Sequence, residues 1–320
     1  MKKIIPSLLT FVPAIRNYVW GGRALLSLAG PNAGTNDNPI AEIWALYENN
    51  LVANGAFAGR TLSELTAEYP NEILGAHVAA PGNMRFPLLI KLLDCASWLS
   101  LQVHPNDIQS QQLEGPEFRG KTEAWHVLNA EPDAQLIAGI KPNTSTEAVH
   151  AAIGNETILG LVEYHHVQTG DTIFMPAGTI HALGPGLLVY EVQQTSDLTY
   201  RVFDWNRPQT NGRVLHVEKS IAVTNPQSQG QITHHQAAGG TVTSLAQCPY
   251  FYLELLSAPQ ERDTHGESFH ALTVIAGQAR VSTLDGEVML NKFDTILVSA
   301  ICGSYRLDGN FQILCSSVSR

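Results

Sequence analysis

The chain has 320 residues, with 19 basic and 29 acidic side chains and a formal net charge of −10. This charge disfavours nucleic acid and anionic membrane surfaces as partners, although a few cations in a pocket can still bind a small anion. A hydrophobic fraction of 44% and a charged fraction of 15% are typical of a globular protein, and the length allows two domains.

The cysteines and the N-terminus favour a cytoplasmic protein. Four cysteines are scattered without a CxxC pair, two of them (Cys95 and Cys315) in apolar segments, and this predicts reduced thiols rather than disulfides. Two lysines before apolar residues resemble the start of a signal peptide, but Pro6 and Pro13 interrupt the apolar run. We therefore interpret residues 1–20 as one or two β-strands. No apolar run approaches the ~18 residues of a membrane helix.

The first half of the chain predicts short strands and a few helices. Thr61 and Glu64 form a capping-box pattern that begins a helix, Pro70 ends it, and a second helical turn stops at Gly75. A capped helix is predicted over 143–153, and the polar segment 106–115 predicts a loop with one helical turn. The predicted strands of this half are 41–46, 86–94, 98–104, 122–129 and 134–140.

The second half predicts two groups of strands separated by a loop-rich segment. Proline and glycine recur through 207–245, and we place a domain boundary near residue 235. This gives two domains, a metal-binding one over 1–235 and a compact all-β one over 236–320. The predicted strands are 162–175, 187–193, 199–203, 251–257, 268–276, 279–283, 293–298 and 311–317.

One pattern occurs twice. Residues 292–304 repeat the Asp-Thr-Ile and the following apolar strand of residues 170–181, but Ser304 stands where the first copy has His181. The repeat predicts two related β-barrels, of which only the first holds a metal. The fold class predicted is thus mainly β, with two β-barrel domains and a few short helices.

Four side chains from separate strands suggest a metal site. His181 follows a Pro176-Ala-Gly178 turn, and the alternation of Leu101-Gln102-Val103-His104 places Gln102 and His104 on one strand face. Glu123 adds a carboxylate. Imidazole and carboxylate ligands suit zinc and tolerate other first-row ions, and two histidines with one carboxylate also occur in iron oxygenases.

A second group of residues follows the last of these ligands. Glu191 and Gln193 share one strand face, and Arg201 lies on the next predicted strand after a Thr-Ser-Asp turn. Arginine suits a phosphate group or an oxyanion that develops during a reaction. The two groups together predict an open site where a small anionic substrate meets a metal.

Four motifs in order carry a family resemblance: 99–107, 120–125, 176–183 and 194–207. Together they resemble type I mannose-6-phosphate isomerase, in its shorter bacterial form. The resemblance implies a cupin (jelly-roll) fold for both barrels and one Zn²⁺ per chain. It also implies interconversion of mannose 6-phosphate and fructose 6-phosphate through a cis-enediol.

The resemblance also implies roles for single residues. It places Arg201 as the essential arginine and Ser100, Lys121 and Glu191 as pocket residues, with Lys91 beside them as a substrate contact. Our own expectation is that Lys121 or Glu191 helps to relay the proton. The implied metal ligands are Gln102, His104, Glu123 and His181. The chain departs from longer members at two positions, Leu183 in place of a tyrosine and Gly120 in place of a histidine.

Two other functions fit the same residues. An iron-dependent cupin oxygenase would use the two histidines and the carboxylate, and a non-catalytic cupin would only bind a sugar. We expect an enzyme acting on a small sugar phosphate, with no nucleic-acid or membrane partner, as a monomer or weak homodimer in the cytoplasm.

Overall fold

The computed structural model describes residues 5–28, 39–79, 84–209, 212–235 and 241–318. Strands dominate these ranges, which confirms the prediction of a mainly β protein with a few short helices. All four cysteines are free thiols. No described helix has the length and apolar character needed to cross a membrane. The helices are α1 (Leu62–Glu68), α2 (Pro70–Leu74), α3 (Asp107–Glu114), α4 (Thr146–Gly154) and α5 (Val217–Val223).

The strands are short except for two near the C-terminus. Those up to residue 203 are β1 (Leu8–Val12), β2 (Ala14–Arg16), β3 (Glu42–Leu46), β4 (Leu51–Val52), β5 (Leu88–Cys95), β6 (Leu101–Val103), β7 (Glu123–Ala130), β8 (Gln135–Ile140), β9 (Val162–His166), β10 (Thr172–Met175), β11 (His181–Leu183), β12 (Leu187–Gln194) and β13 (Tyr200–Phe203). The later ones are β14 (Gln231–Thr233), β15 (Val242–Gln247), β16 (Tyr252–Leu256), β17 (Gln260–Asp263), β18 (His270–Thr283), β19 (Gly286–Asn291), β20 (Thr295–Val298) and β21 (Ser304–Ser317).

The chain divides into two compact units. One comprises Met1–Ala14, Ile43–Lys91 and Gln236–Arg320, and the other comprises Ile15–Glu42 and Leu92–His235. The chain passes from one unit to the other at the predicted boundary after residue 235, and also at three earlier points. Residues 236–240, which begin the predicted second domain, lie outside the described ranges.

The unit with residues 92–235 contains a five-stranded sheet in the order β13-β6-β11-β8-β9. A seven-stranded sheet has the order β14-β10-β7-β12-β5-β3-β2. One buried apolar cluster joins Trp125 and Val127 of β7 with Leu136 and Ala138 of β8. These two sheets therefore pack face to face, and side chains on their inner faces point toward each other.

The other unit contains a nine-stranded sheet. Its order is β15-β16-β21-β18-β20-β1-β4, with β17 paired to β21 and β19 paired to β18. The strand β18 covers two predicted strands, 268–276 and 279–283, because a register shift between Val274 and Ala276 lets the chain bend without leaving the sheet. The polar strands β17 and β19 were not predicted.

Capping residues mark where the helices α1 and α3 begin. Thr61 and Glu64 form the predicted capping box, with Glu64 N donating to Thr61 Oγ1 at 3.1 Å, and this confirms the helix α1. The prediction for 106–115 was wrong, because α3 is a full helix of eight residues. Asn106 and Gln109 form a second capping box there, a signal that is present in the sequence.

The structure also differs from the predicted elements in polar or glycine-rich segments, some of which form strands or a short helix. The predicted strand 162–175 is two strands, separated by a turn at Gly170 with φ of 94°. The segment 207–245, predicted as loop-rich, holds α5, β14 and most of β15. The short strand β11 was also not predicted, although its first residue is His181.

The repeated Asp-Thr-Ile pattern has one structural basis in both copies. Asp171 Oδ2 accepts a hydrogen bond from Gln168 N at 2.8 Å, and Asp294 Oδ2 accepts one from Asn291 N at 2.8 Å. A residue with positive φ precedes each aspartate, Gly170 in one copy and Phe293 in the other. Each aspartate thus closes the turn that starts a buried strand.

Buried His126 makes the fold sensitive to acid. Its ring lies on β7, with Nδ1 3.0 Å from Thr172 Oγ1, and burial together with nearby His235 lowers its pKa to about 4. The folded state disfavours the protonated ring, so protonation of His126 lowers the free energy of unfolding. The free energy keeps its full value above pH 6.5 and decreases as the pH falls from 6.5 to 4. The shift corresponds to about 3 kcal/mol.

We therefore expect His126→Gln to flatten the pH dependence of the free energy of unfolding between pH 6.5 and 4. Urea unfolding at several pH values measures this slope. His166→Gln, which changes an exposed ring on β9, is the matched control. Equal slopes in the two variants would contradict the assignment.

Candidate metal centre

Three strands of the five-stranded sheet place polar side chains in one row. Gln102 on β6 pairs directly with His181 on β11 and with Arg201 on β13. Directly paired residues of neighbouring strands project from the same face of a sheet, about 4.5–5.5 Å apart at their Cβ atoms. The row Arg201, Gln102, His181 therefore lies along one face.

The Pro-Ala-Gly turn fixes where His181 enters this row. Thr179 N donates to Pro176 O at 3.3 Å, which confirms the predicted turn, and Gly178 has φ of 86°. Gly178 N also donates to the carbonyl of His104 at 2.8 Å. The turn thus ties the backbone of one histidine to the segment that carries the other.

Glu123 comes from the facing seven-stranded sheet and meets both histidines. Its Oε1 lies 3.2 Å from His181 Nε2, and its Oε2 lies 3.7 Å from His104 Nε2. Ligand atoms of these three residues lie within 4.8 Å of one another, and all three side chains are buried. Gln102 Nε2 lies 3.2 Å from His181 Nε2, so the amide reaches the same place.

Backbone carbonyls fix the tautomers of both rings. His104 Nδ1 lies 2.8 Å from Leu198 O, and His181 Nδ1 lies 2.9 Å from Thr179 O. A carbonyl can only accept, so Nδ1 carries the proton in each ring, and Nε2 is turned toward Glu123. Burial lowers the pKa of His181 to about 3, so this ring is neutral at neutral pH.

This donor set fits a divalent cation. Two neutral imidazole Nε2 atoms and a buried carboxylate converge, and each imidazole donates its other N–H to a carbonyl, as metal-bound histidines commonly do. His104, Glu123 and His181 would hold the ion, and the amide of Gln102 would be a fourth ligand. The predicted residues are therefore brought together by the fold.

Lys121 belongs to the same cluster. Its Nζ lies 2.9 Å from Glu123 Oε2 and 3.1 Å from His104 Nε2. Its segment is held by a network that includes Gly120 N and Gln194 Nε2, which both donate to Asp107 Oδ1 at 2.8 and 3.0 Å. Neither Asp107 nor Gln194 was predicted from the sequence to have a role at the site.

Glu191 lies on β12, directly opposite Trp125 in the ladder. Trp125 Nε1 donates to Glu191 Oε2 at 2.8 Å, and the Trp125 ring packs edge-on against His181 with centroids 5.4 Å apart. Trp125 therefore contacts both the buried carboxylate of Glu191 and the ring of His181. This positioning role of Trp125 was also not predicted.

The other two predicted substrate contacts are buried. Ser100 precedes β6 and is 5% exposed. Lys91 lies in β5 and is 4% exposed, with its Nζ 5.3 Å from the ring centroid of Trp44. Their contact with a substrate stays a prediction.

Arg201 belongs to a group of three arginines around one buried carboxylate. Asp204 accepts from Arg213 Nε and Nη2 at 2.7 and 2.6 Å and from Arg207 Nη1 at 3.2 Å, while Arg201 Nε lies 4.0 Å away. Arg201 Nη1 donates to the carbonyls of Gly212 and Val214. Burial, and then the positive charge of Arg213, lower the pKa of Arg201.

This arginine group carries more positive charge than its carboxylate can neutralise. Guanidinium groups stay protonated at all ordinary pH values, so three cations meet a single anion. An added anion would relieve the repulsion between Arg201 and Arg213. The group is therefore suited to bind a phosphate.

The two positions at which the resemblance implies a different residue in longer members are both buried. Leu183 is 1% exposed and packs in the apolar cluster between the two sheets. A Cβ on Gly120 would lie 2.6 Å from both the carbonyl carbon of Asn106 and the nitrogen of Asp107. A side chain does not fit there unless this backbone moves.

Comparisons with known proteins identify the family of this chain. A model of the family "Phosphomannose isomerase type I, catalytic domain" matches residues 8–155. Mannose-6-phosphate isomerase ManA of Bacillus subtilis is 33% identical over 320 residues, covering 96% of this chain and 98% of that protein. The chain belongs to the type I mannose-6-phosphate isomerase family. The predicted family and enzyme class are thereby confirmed.

One further relative and two solved structures resemble this chain. The mannose-6-phosphate isomerase of Streptococcus mutans is 32% identical, covering 93% of this chain and 94% of that one. A crystal structure of the mannose 6-phosphate isomerase from Bacillus subtilis has a TM-score of 0.85 at 30% identity and covers 97% of this chain and 99% of that chain. A mannosephosphate isomerase structure from Archaeoglobus fulgidus, at 22% identity and TM-score 0.76, shares the fold; it covers 97% of each chain.

The steric limit at Gly120 gives a testable expectation. Gly120→Ala should lower the free energy of unfolding by about 1–3 kcal/mol, because the added methyl must displace the backbone of 106–107. Gly154→Ala is the matched control, since a Cβ there meets nothing within 4 Å. Denaturant unfolding measures both variants. A Gly120→Ala chain as stable as the control would contradict the steric reading.

Proposed function

We propose that the chain interconverts mannose 6-phosphate and fructose 6-phosphate, with one Zn²⁺ held by His104, Glu123, His181 and Gln102. The observation that carries this proposal is the convergence of two imidazole Nε2 atoms on the buried carboxylate of Glu123. Family membership supports a sugar-phosphate isomerase over an iron-dependent oxygenase or a non-catalytic sugar-binding cupin.

The reaction moves one proton between adjacent carbons. A base removes the C2 proton of the open-chain aldose while O1 gains a proton, which gives the cis-enediol. A proton then returns to C1 while O2 loses its proton and becomes the carbonyl oxygen. A bound divalent ion would supply polarisation of the substrate oxygens. The protein must supply the proton carrier and must hold the phosphate.

Two buried groups at the site can carry the proton. Lys121 lies within the cluster, 2.9 Å from Glu123, and Glu191 is held by the indole of Trp125. Lys121 lies two residues before the first residue of β7, and Glu191 lies on β12; both strands belong to the seven-stranded sheet. A proton carrier has to be within reach of the substrate carbon–hydrogen bond, and we propose that Lys121 or Glu191 takes this position.

Arg201 is the proposed anchor for the negative charge of the substrate. It lies in the same row as Gln102 and His181, and the arginine group around Asp204 has unneutralised positive charge. The anchor would hold the phosphate or the enediolate oxygen next to the metal. Ser100 and Lys91 are proposed as further substrate contacts, and the reducing cytoplasm is the proposed location.

The metal requirement is tested by removing the ion. Dialysis against a chelator should abolish turnover of mannose 6-phosphate in a coupled assay, and added Zn²⁺ should restore it. Elemental analysis should find about one zinc per chain, and His104→Ala or Glu123→Ala should lose it. Full activity in a metal-free chain, or iron in place of zinc, would overturn the metal assignment.

Arg201 is tested separately from the metal. Arg201→Ala should keep wild-type zinc content and lose at least ~100-fold in kcat, because a charge-stabilising donor contributes about 3–4 kcal/mol. Arg280→Ala, which removes an exposed arginine from β18, is the control and should keep wild-type turnover. Wild-type kcat in Arg201→Ala would show that this side chain is structural only.

A further inference from the structure

A polar cavity lies among the C-terminal strands, in the unit that does not contain the metal cluster. Its volume is about 590 Å³, and its walls come from β15, β16, β17, β18 and β21 and the adjoining loops. Ligand sites commonly occupy clefts of this size in which a few polar groups converge. The function proposed above assigns no role to this cavity.

Strand register places several polar side chains on one wall. Tyr252 pairs directly with Gln247 on one side and with Ser317 on the other. Glu254 is two residues farther along the same strand, so it projects from the same face as Tyr252. All four residues line the cavity.

A partly buried polar network lines the cavity. Arg262 Nη2 donates to Glu254 Oε2 at 2.6 Å, and their side chains are 19% and 9% exposed. His270, which also lines the cavity, has its Nδ1 2.8 Å from the hydroxyl of the buried Tyr305. Burying such a network costs desolvation, and apolar side chains would serve a purely structural role at least as well.

The charge of the lining selects the kind of ligand. Among the described residues, four carboxylates and one guanidinium line the cavity, so the formal charge of this lining is −3 with neutral histidines. Arg306 pairs with Glu261 at 3.7 Å from outside the lining, which still leaves the lining negative. A phosphate or carboxylate ligand would be repelled, so the substrate and product of the isomerase do not fit here.

We propose that this cavity is a second binding site, for a neutral polyhydroxylated molecule such as an unphosphorylated hexose. Hydroxyl groups donate to carboxylates and accept from a guanidinium, so Glu254 and Arg262 offer both kinds of partner. The ring of Tyr252 offers a flat apolar surface to the carbon–hydrogen face of a sugar. The site is independent of the metal cluster and of the isomerase reaction.

Calorimetric titration of the full-length chain with D-mannose and D-fructose tests the site. We expect millimolar binding that weakens at least tenfold in Tyr252→Ala and is unchanged in Met289→Ala, a matched change at an exposed side chain of β19. If Tyr252→Ala does not fold, as judged by circular dichroism, Gln247→Ala at an exposed lining position replaces it. All three variants should keep wild-type isomerase turnover.

The alternatives give different results. Binding that is lost in His181→Ala but kept in Tyr252→Ala would place the sugar at the metal cluster and overturn the proposal. Tighter binding of inorganic phosphate or tetramethylammonium than of the sugars, lost in Tyr252→Ala, would overturn the ligand class. No binding of either sugar at 50 mM would overturn the site itself.

Discussion

The site depends on how the negative charge of Glu123 is accommodated. This carboxylate is fully buried, and a buried charge is tolerated only where opposite charge and hydrogen-bonding groups surround it. Lys121 supplies one positive group at 2.9 Å, and the two histidines turn neutral nitrogen atoms toward the same carboxylate. A divalent ion would bind where these two nitrogen atoms and the carboxylate converge.

The two facing sheets contribute different kinds of functional group to the site. The five-stranded sheet contributes neutral nitrogen ligands and the cationic Arg201, whereas the seven-stranded sheet contributes the carboxylates Glu123 and Glu191. Packing of the apolar cluster between the sheets brings these groups together. Core packing therefore determines the geometry of the site.

Much of this could be predicted from local patterns. Strand alternation places Gln102 and His104 on one face, and Thr61 with Glu64 begins a helix, because both rules depend only on near neighbours. The role of Trp125 could not be predicted, since a buried tryptophan looks like core until its Nε1 is found 2.8 Å from Glu191. Asp107 and Gln194 are 87 residues apart, so only the fold could show their hydrogen bond.

The hydrogen bonds to Leu198 O and Thr179 O have an evolutionary consequence. Both acceptors are main-chain atoms, so the hydrogen bonds themselves require no particular side chain at position 198 or 179. The protonation pattern of the imidazoles is thus encoded by the path of two loops rather than by a partner side chain. Substitution at the half-buried Leu198 can proceed without altering the ligands, whereas Thr179 is fully buried and bonded to Ser228, so position 179 is more constrained.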